Sequence, residues 1–503
     1  MTDERKSLPT APRALQEMVL SLQSQVKNLT EEKQHLIEQF RLAQQQRFGA
    51  SSESHPAQGD LFNEAEVELE EPAEEATQAS ATTLKKKPIR KKLPTDLPRE
   101  TIIHDIEGKA CACCGGELHH MGDERSEKLE FIPAQVKVIE HVRLKYSCRT
   151  CEKESTSTAI QIAPVPPSPI PKGFATPTLL SQIITSKYQY ALPLYRQESL
   201  FKQYGIELSR KTMADWMMKS ADLFTPLYAR LQEILLQQRV IQADETPLKV
   251  INEDKVKSYM WLYCTGTDSP SKSPLPNIVL YDYQSGRAGQ CAIDYLDGFT
   301  GYLQVDGYVG YEKTSAKLVG CWAHARRKFK EAQTVQPKGK TGKADMALSM
   351  IQKLYRIEIS LKDKSVEEKY QLRQEKAKPL LERFYQWLGK ANVVTKSALG
   401  KAIAYCLNQW HKLIRYIEDG HLSIDNNRSE RAVKPFVIGR KNWLFSNTAK
   451  GAKASAMLYS IIETAKANGL IPFDYVAHCL EQLSNEHVDI EKLLPWNVKI
   501  HSV

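Results

Sequence analysis

Three strand-like runs, a short helix, a fourth strand-like run and a longer helix succeed one another between residues 239 and 331, and aspartates close the apolar runs of the first and fourth strands. That succession predicts an α/β protein with a ribonuclease-H-like catalytic core. A leucine repeat and two pairs of cysteines lie upstream. The chain is therefore predicted to be multidomain, with a coiled coil, a zinc-binding module and a helical DNA-binding region preceding the core.

At 503 residues the chain exceeds one compact core and fits about three or four structural units. The opening "MTDERKSLPT" lacks the apolar stretch of a secretory signal, and no run of about 18 apolar residues is present to span a bilayer. Both features predict a cytoplasmic protein without a membrane partner. In that reducing compartment, clusters among its ten cysteines point to metal rather than to a disulfide framework. The net charge of +9 is unevenly spread: residues 60 to 75 hold eight acids and no base, whereas "KKKPIRKK" at 85 to 92 is nearly all base. Such blocks mark solvated chain, and the basic one can touch phosphates.

Leu15, Leu22, Leu29 and Leu36 recur every seven residues, and Val19, Val26, Lys33 and Phe40 follow each leucine by four. Valine at a with leucine at d favours a parallel two-stranded coiled coil, so residues 10–46 predict a homodimer with Lys33 as a register-setting polar residue. Residues 50–100, rich in Ser, Glu, Ala, Pro and Lys, predict a charged flexible linker. The zinc-binding module follows over 101–163. Cys111 with Cys114 and Cys148 with Cys151 form two CxxC pairs, each able to wrap a knuckle around one structural Zn²⁺, and Gly115 and Gly116 permit the tight turn. Cys113 can replace either neighbour, and His119 or His120 can compete as ligands. Between the pairs, "KLEFIPAQVKVIEHVRLKYSC" alternates like a hairpin.

"PVPPSPIPKG" at 164–173 breaks the chain before a helical region, 174–237. Within it an apolar helix, a turn at Gly205, a cap at Ser209 and a second helix bearing Arg210, Lys211 and Trp216 predict a helix-turn-helix-like unit whose second helix enters a major groove.

The catalytic residues follow from the core. "RVIQADETPLKV", "SYMWLYCTG" and "NIVLYDYQSG" read as strands, "AGQCAIDYLDGF" as a helix, and "GYLQVDGY" as a fourth strand; a helix is then expected from Tyr311 through "LVGCWAHARRKFKEAQ". Asp244 and Asp306, each where strand meets loop, can share two divalent cations, Mg²⁺ or Mn²⁺, once a third carboxylate from a later helix completes the cage. With the ions about 3.5 to 4 Å apart, one activates the attacking oxygen and the other stabilises the leaving one in an in-line displacement at phosphorus. Glu430 is that third acid. In "SIDNNRSERAVKPFVIGRKNWLF", residues 423 to 445, it is the one carboxylate after Asp425 and stands among Arg428, Arg431, Lys434, Arg440 and Lys441. These bases, with Arg326 and Arg327, are the expected grip on DNA, where phosphate contacts supply position and most of the affinity. Glu245 and Asp425 are alternates to the triad acids beside them. Cys321 and His324 form a CxxH with too few ligands for a metal site by themselves, so helix packing is expected there, with His324 near a DNA end. Trp443 either stacks on an unpaired base or packs in the core.

At "ADETP" (243–247), "VDGYVGY" (305–311), "CWAHARRKF" (321–329) and "DNNRSERAVKPFVIGRKNWLF" (425–445) the sequence resembles the DDE transposases of bacterial insertion sequences, in the family numbered sixty-six. The heptad helix, the CxxC pairs and "LPTDLPRE" also look like that family's N-terminal half; "CACC" departs from it, since the family tends to show two cysteines there. The resemblance implies Asp244, Asp306 and Glu430 as the acidic triad of an enzyme that cleaves DNA at insertion-sequence ends and transfers the freed 3′ hydroxyl to target DNA without a covalent enzyme intermediate. It implies a helical insertion, 332–422, dividing the catalytic core into 238–331 and 423–470 ahead of a C-terminal helical tail, 471–503. The implied partners are the terminal repeats, target DNA and accessory proteins of the same element. Two other readings remain in the sequence: a ribonuclease-H-like nuclease without strand transfer uses the same acids, and a non-enzymatic zipper and zinc DNA-binding regulator leaves them idle.

If the two CxxC pairs hold one ion together, the purified protein carries about one tightly bound zinc per chain. Elemental analysis should show that zinc lost, and residues 105–155 locally unfolded, when Cys148 and Cys151 are both replaced by serine. Undiminished zinc in that variant would refute the ligand set.

Overall fold

Aromatic and β-branched residues crowd the strands of the central sheet, and their apolar runs are nearly continuous because both faces are covered. The computed structural model describes residues 11–48, 101, 136–147, 160–253, 257–266, 276–336 and 342–499. The chain divides into two compact units, Ala73–Ala163 and the remainder.

In the smaller unit β1 (Lys145–Ser147) pairs antiparallel with β2 (Ile160–Ile162). Of the hairpin expected within 128–148, residues 128–135 and 148 lie outside the described residues, 136–144 carry no strand, and 145–147 pair forward with β2. Alternation marks a strand but not its partner, and here the partner lies downstream. Cys111, Cys113, Cys114, Cys148 and Cys151, with His119, His120 and the linker 50–100, lie outside the described residues.

The larger unit begins with α1 (Pro12–Phe48), a single helix. Its heptad residues Leu22, Val26, Leu29, Leu36 and Phe40 are exposed. Its C-terminal end is anchored: the Glu38 carboxylate accepts the Ala398 N–H at 2.7 Å and Arg41 donates to the Val335 carbonyl at 2.6 Å.

Helices α2 (Pro177–Tyr188), α3 (Leu194–Gln203), α4 (Arg210–Leu223) and α5 (Thr225–Leu236) follow. Gly205 turns the chain with φ +74°, and the Ser209 hydroxyl caps α4 by accepting the Thr212 N–H at 3.2 Å. Arg210 and Lys211 are exposed in the first turn of α4, but Met213, Trp216 and Met217 are buried, with Trp216 edge-on to Phe174 at 4.9 Å. All four helices share one hydrophobic core with the sheet, so 174–237 is an integral layer.

From edge to edge the sheet runs Ile278–Gln284, Ser258–Thr265, Val240–Leu248, Tyr302–Gln304 and Lys317–Val319. β3 (Val240–Leu248), β4 (Ser258–Thr265) and β5 (Ile278–Gln284) form an antiparallel meander; after α6 (Gly289–Tyr295), β6 (Tyr302–Gln304) returns parallel to β3 and β7 (Lys317–Val319) parallel to β6. The helix expected from Tyr311 is corrected: a 3-10 turn, Val309–Lys313, and β7 come first, and α7 (Trp322–Thr334) starts after Gly320. Pairing with β6 supplies backbone partners to a run too short to announce itself as a strand.

From α7 the chain enters α8 (Lys343–Ser360), α9 (Val366–Leu372), a π turn (Arg373–Ala377), α10 (Lys378–Lys390) and α11 (Ala398–Leu413). Of these, α8, α10 and α11 enclose with α7 a second hydrophobic core around Trp322, Phe329 and Phe384. The chain then returns to the sheet through α12 (Asn427–Trp443), α13 (Ala449–Ala467) and α14 (Pro472–Gln482). In the expected C-terminal helical tail, α14 buries Tyr475, Val476, Cys479 and Leu480 in the main core. Among the described residues no helix is long and apolar enough to cross a membrane.

α13 closes the outer edge of β5, where unpaired N–H and C=O groups would otherwise be exposed. Thr464 Oγ1 accepts the Val279 N–H at 3.0 Å and donates to the Val279 carbonyl at 2.9 Å, and Ser460 Oγ accepts the Tyr281 N–H at 2.7 Å. Thr464→Val keeps the shape and strands both groups of Val279. Denaturant unfolding should show a loss of about 1–3 kcal/mol, and a loss near zero would mean the edge finds other partners.

Candidate active site

Residues that pair along β3 and β6 decide where the acids lie. Gln242 opposes Gln304 in parallel register, so two positions further along each chain Asp244 and Asp306 come side by side. The expected strand-end position of Asp244 is corrected: it stands mid-strand in β3, still paired with Leu262 of β4, at the level where β6 has stopped. On that open side Asp306 turns back to accept the Tyr308 N–H at 2.8 Å. The Asp244 pKa is held well above the usual carboxylate range, by burial first and then by the charges of Glu245, Asp306 and Glu430.

Glu430 arrives on the first turn of α12. The segment leading into that helix is strapped across the sheet end. Gln304 Nε2 donates to the Ser423 carbonyl at 2.7 Å, the Trp322 N–H to the Ile424 carbonyl at 3.1 Å, and Asn426 Nδ2 to the Ala243 carbonyl, next to Asp244, at 2.9 Å. The Asn426 N–H points to Cys321 Sγ at 3.2 Å. From the helical insertion Arg373 donates to the carbonyls of Tyr416, Asp419 and Leu422 while paired with Glu358 at 2.6 Å, which fixes the start of the strap. The Tyr281 hydroxyl of β5 donates to the Ala432 carbonyl in α12 itself.

The Glu430 side chain is 5% exposed, and neither carboxylate oxygen has a hydrogen-bond partner among the described residues. Its pKa is raised to about 7, by burial above all; Arg327 and Arg431 oppose the rise, while Asp425 and Asp306 add to it. A buried, unpartnered carboxylate beside two more acids is an arrangement that a cation relieves. Carboxylate oxygens such as these are the donors that hard divalent ions take.

The neighbouring acids are otherwise engaged. Glu245 follows Asp244 in β3 and so points to the opposite face. There it accepts the Tyr311 hydroxyl at 2.6 Å and pairs with Arg287, whose guanidinium lies 3.8 Å from the Tyr308 ring. Asp425 caps the α12 entrance, accepting from Asn427 Nδ2 at 2.9 Å. His324 lies 3.5 Å from Glu430, but burial, then Arg327, pushes its pKa down to about 4, so the pair is not ionic at neutral pH. Tyr308, Tyr311 and Asn426 sit inside the motifs read from the sequence without being singled out. Arg287 has no local signal, since its role depends on the fold bringing β5's exit to Glu245.

The expected DNA-binding residues divide by burial. Arg428 is buried and donates to the Thr265 carbonyl at 2.6 Å; Arg326 is buried between α7 and α8; Arg440 donates to Thr246 Oγ1 at 3.1 Å and to the Pro247 carbonyl. DNA contact by Arg428 and Arg326 is corrected to a structural role, because α12 and α7 turn these side chains into the protein, and Arg440 ties α12 to β3. Trp443 packs edge-on against Phe436 at 5.5 Å, the core alternative rather than a free stacking platform. Arg210, Lys211 and Lys441 are exposed, and Arg327, Arg431 and Lys434 are half-buried.

A family model described as Transposase IS66 family matches residues 172–454, the stretch that contains all three acids. The zinc-finger binding domain of transposase IS66 matches 109–152, Transposase C of IS166 homeodomain matches 35–102, and the IS66 C-terminal element matches 460–496. Relatives from Sinorhizobium fredii (strain NBRC 101917 / NGR234) match at nearly full length. Uncharacterized protein y4jD is 35% identical over 429 residues, covering 82% of this chain and 82% of that protein. Uncharacterized protein y4qI is 34% identical over 460 residues, with 87% of this chain and 83% of the relative covered. No solved structure matches the chain. A family model that spans the sheet, the inserted helices and the Glu430 helix settles the kinship, and the chain belongs to the IS66 family of transposases.

Proposed function

We propose that this transposase is a DDE enzyme in which Asp244, Asp306 and Glu430 hold two Mg²⁺ or Mn²⁺ ions, cleave the ends of an insertion sequence and join the freed 3′ hydroxyl to target DNA. The observation that carries the reading is that the charges of Asp306 and Glu430 both act on Asp244, and that Glu430 is buried with no hydrogen-bond partner for its oxygens among the described residues. The strand order, with a three-strand antiparallel meander followed by two parallel strands, supports a ribonuclease-H-like core of 238–331 and 423–470 interrupted by the helices of 332–422.

Bound at these oxygens, divalent ions would supply positive charge to the reacting phosphate and activate the attacking oxygen. The chain's own groups do the rest. Asn426 and the strap hold Glu430 against β3, and Arg287 with Tyr311 holds Glu245 on the opposite face of the strand from Asp244. Arg327, Arg431, Lys434 and Lys441 flank the acids on α7 and α12 and contact DNA phosphates; Arg210 and Lys211 extend that contact from α4. Upstream, the cysteine module holds one structural zinc, and the exposed heptad face of α1 pairs two copies. The reaction takes place in the cytoplasm.

The decisive assay is Mg²⁺-dependent cleavage and joining of an element-end duplex. Glu430→Gln should abolish both while DNA binding persists, and comparable activity would remove Glu430 from the triad. Lys441→Ala should instead weaken DNA affinity and flatten its salt dependence.

Stability offers an independent measurement. Between the ordinary glutamate value of 4.5 and about 7, folded Glu430 holds a proton that the unfolded chain has lost, so its contribution to stability falls as pH rises through that window. Without added divalent ion the wild-type melting temperature should be higher at pH 6 than at pH 8, and the difference should shrink in Glu430→Gln. Mg²⁺ at pH 8 should restore the wild type and not the variant; equal responses would disconnect Glu430 from metal.

A further inference from the structure

Cys321 caps the N-terminus of α7, and His324 stands one turn on, facing the same way. On the sequence these are two ligands without a third. The strap brings Glu430 to them, and one ligand atom from each of Cys321, His324 and Glu430 lies within 4.8 Å of the others. His324 Nδ1 is 3.5 Å from Glu430 Oε1, close to the separation of about 3.4 Å expected for two ligands around tetrahedral zinc. The atoms are also available. His324 Nδ1 and both Glu430 oxygens are buried and have no hydrogen-bond partner among the described residues. The Asn426 N–H directed at Cys321 Sγ is the kind of contact that stabilises a thiolate ligand.

We propose that Cys321, His324 and Glu430 form a second metal site, selective for a borderline-soft divalent cation such as Zn²⁺. Sulfur, nitrogen and oxygen donors together suit zinc and cobalt, whereas Mg²⁺ takes oxygen ligands in octahedral geometry. Three protein ligands leave the fourth position to water, so this ion is held more loosely and exchanges more readily than one enclosed by four cysteines. Binding deprotonates the Cys321 thiol, and the proton leaves to solvent.

The site shares Glu430 with the oxygen cluster of Asp244 and Asp306. A zinc ion on Cys321 and His324 draws that carboxylate away from the two aspartates, so zinc opposes Mg²⁺-dependent cleavage. This consequence rests on the proposed function; the binding itself does not.

The test is a Co²⁺ titration of the full chain with its cysteine module already filled with zinc. A further cobalt ion should bind and show sulfur-to-cobalt charge transfer in the near ultraviolet. Cys321→Ser should lose that band, His324→Ala should weaken the binding, and added Zn²⁺ should displace the cobalt. Cobalt that had entered the cysteine module would keep its band in Cys321→Ser, and that outcome overturns the site. X-ray absorption at the cobalt edge of the wild-type protein makes the result independent of how the variants fold: a shell without sulfur also overturns it. The two readings fail separately. A sulfur band at Cys321 with normal cleavage by Glu430→Gln sinks the catalytic assignment and leaves the site, whereas cleavage that requires Glu430 in a chain without the band does the reverse.

Discussion

Mutual repulsion among Asp244, Asp306 and Glu430 is the constraint on which the rest of this structure turns. Burial raises the cost of ionising Asp244 and Glu430; the charges of Glu245, Asp306 and Glu430 add to it at Asp244, and those of Asp425 and Asp306 at Glu430. Glu430 stands on the first turn of α12, beside the sheet. It is kept there by bonds made just ahead of it, above all Asn426 to the Ala243 carbonyl, which sets the helix start one residue from Asp244. The energy of these neutral hydrogen bonds holds charges together that would otherwise separate, the usual condition of a site prepared for a cation.

The inserted helices follow from the same requirement. They have their own hydrophobic core around Trp322 and Phe384, but that core also anchors both sides of the site. Trp322 begins α7 and bonds the strap at Ile424, while Arg373 gathers the carbonyls of Tyr416, Asp419 and Leu422. The buried guanidinium, paired with Glu358 and surrounded by carbonyl oxygens, is satisfied in the way a charge inside a protein must be. An insertion of this kind is a brace for Glu430 as much as a separate lobe.

Charge near the site is sorted by partner. Glu245 is held by Arg287 and Tyr311, and Asp425 is used at the helix entrance, which leaves Glu430 as the buried carboxylate without a hydrogen-bond partner among the described residues. The basic residues are sorted likewise. Arg428 and Arg440 tie α12 to β4 and β3, leaving Lys441 exposed and Lys434 half-buried on the same helix.

Much of this was legible in the sequence because it depends on residue type and short spacing. The runs around Asp244 and Asp306 mark strands by composition, "DNNRSE" opens a helix carrying Glu430, and Gly205 and Ser209 mark the turn and cap between α3 and α4, each through chemistry confined to a few neighbouring residues. What only the tertiary structure decided is which side chains are free. Arg428 and Lys441 look alike in the sequence, yet one faces the carbonyl of Thr265, 163 positions away, and the other faces solvent. The strand β7, the forward pairing of β1, the partnership of Arg287 with Glu245, and the meeting of Cys321 and His324 with Glu430 are likewise products of long-range contact. A local pattern fixes the direction and period of an element; its neighbours, and therefore its burial and its chemistry, are fixed by which distant segments supply hydrogen bonds and fill the space beside it.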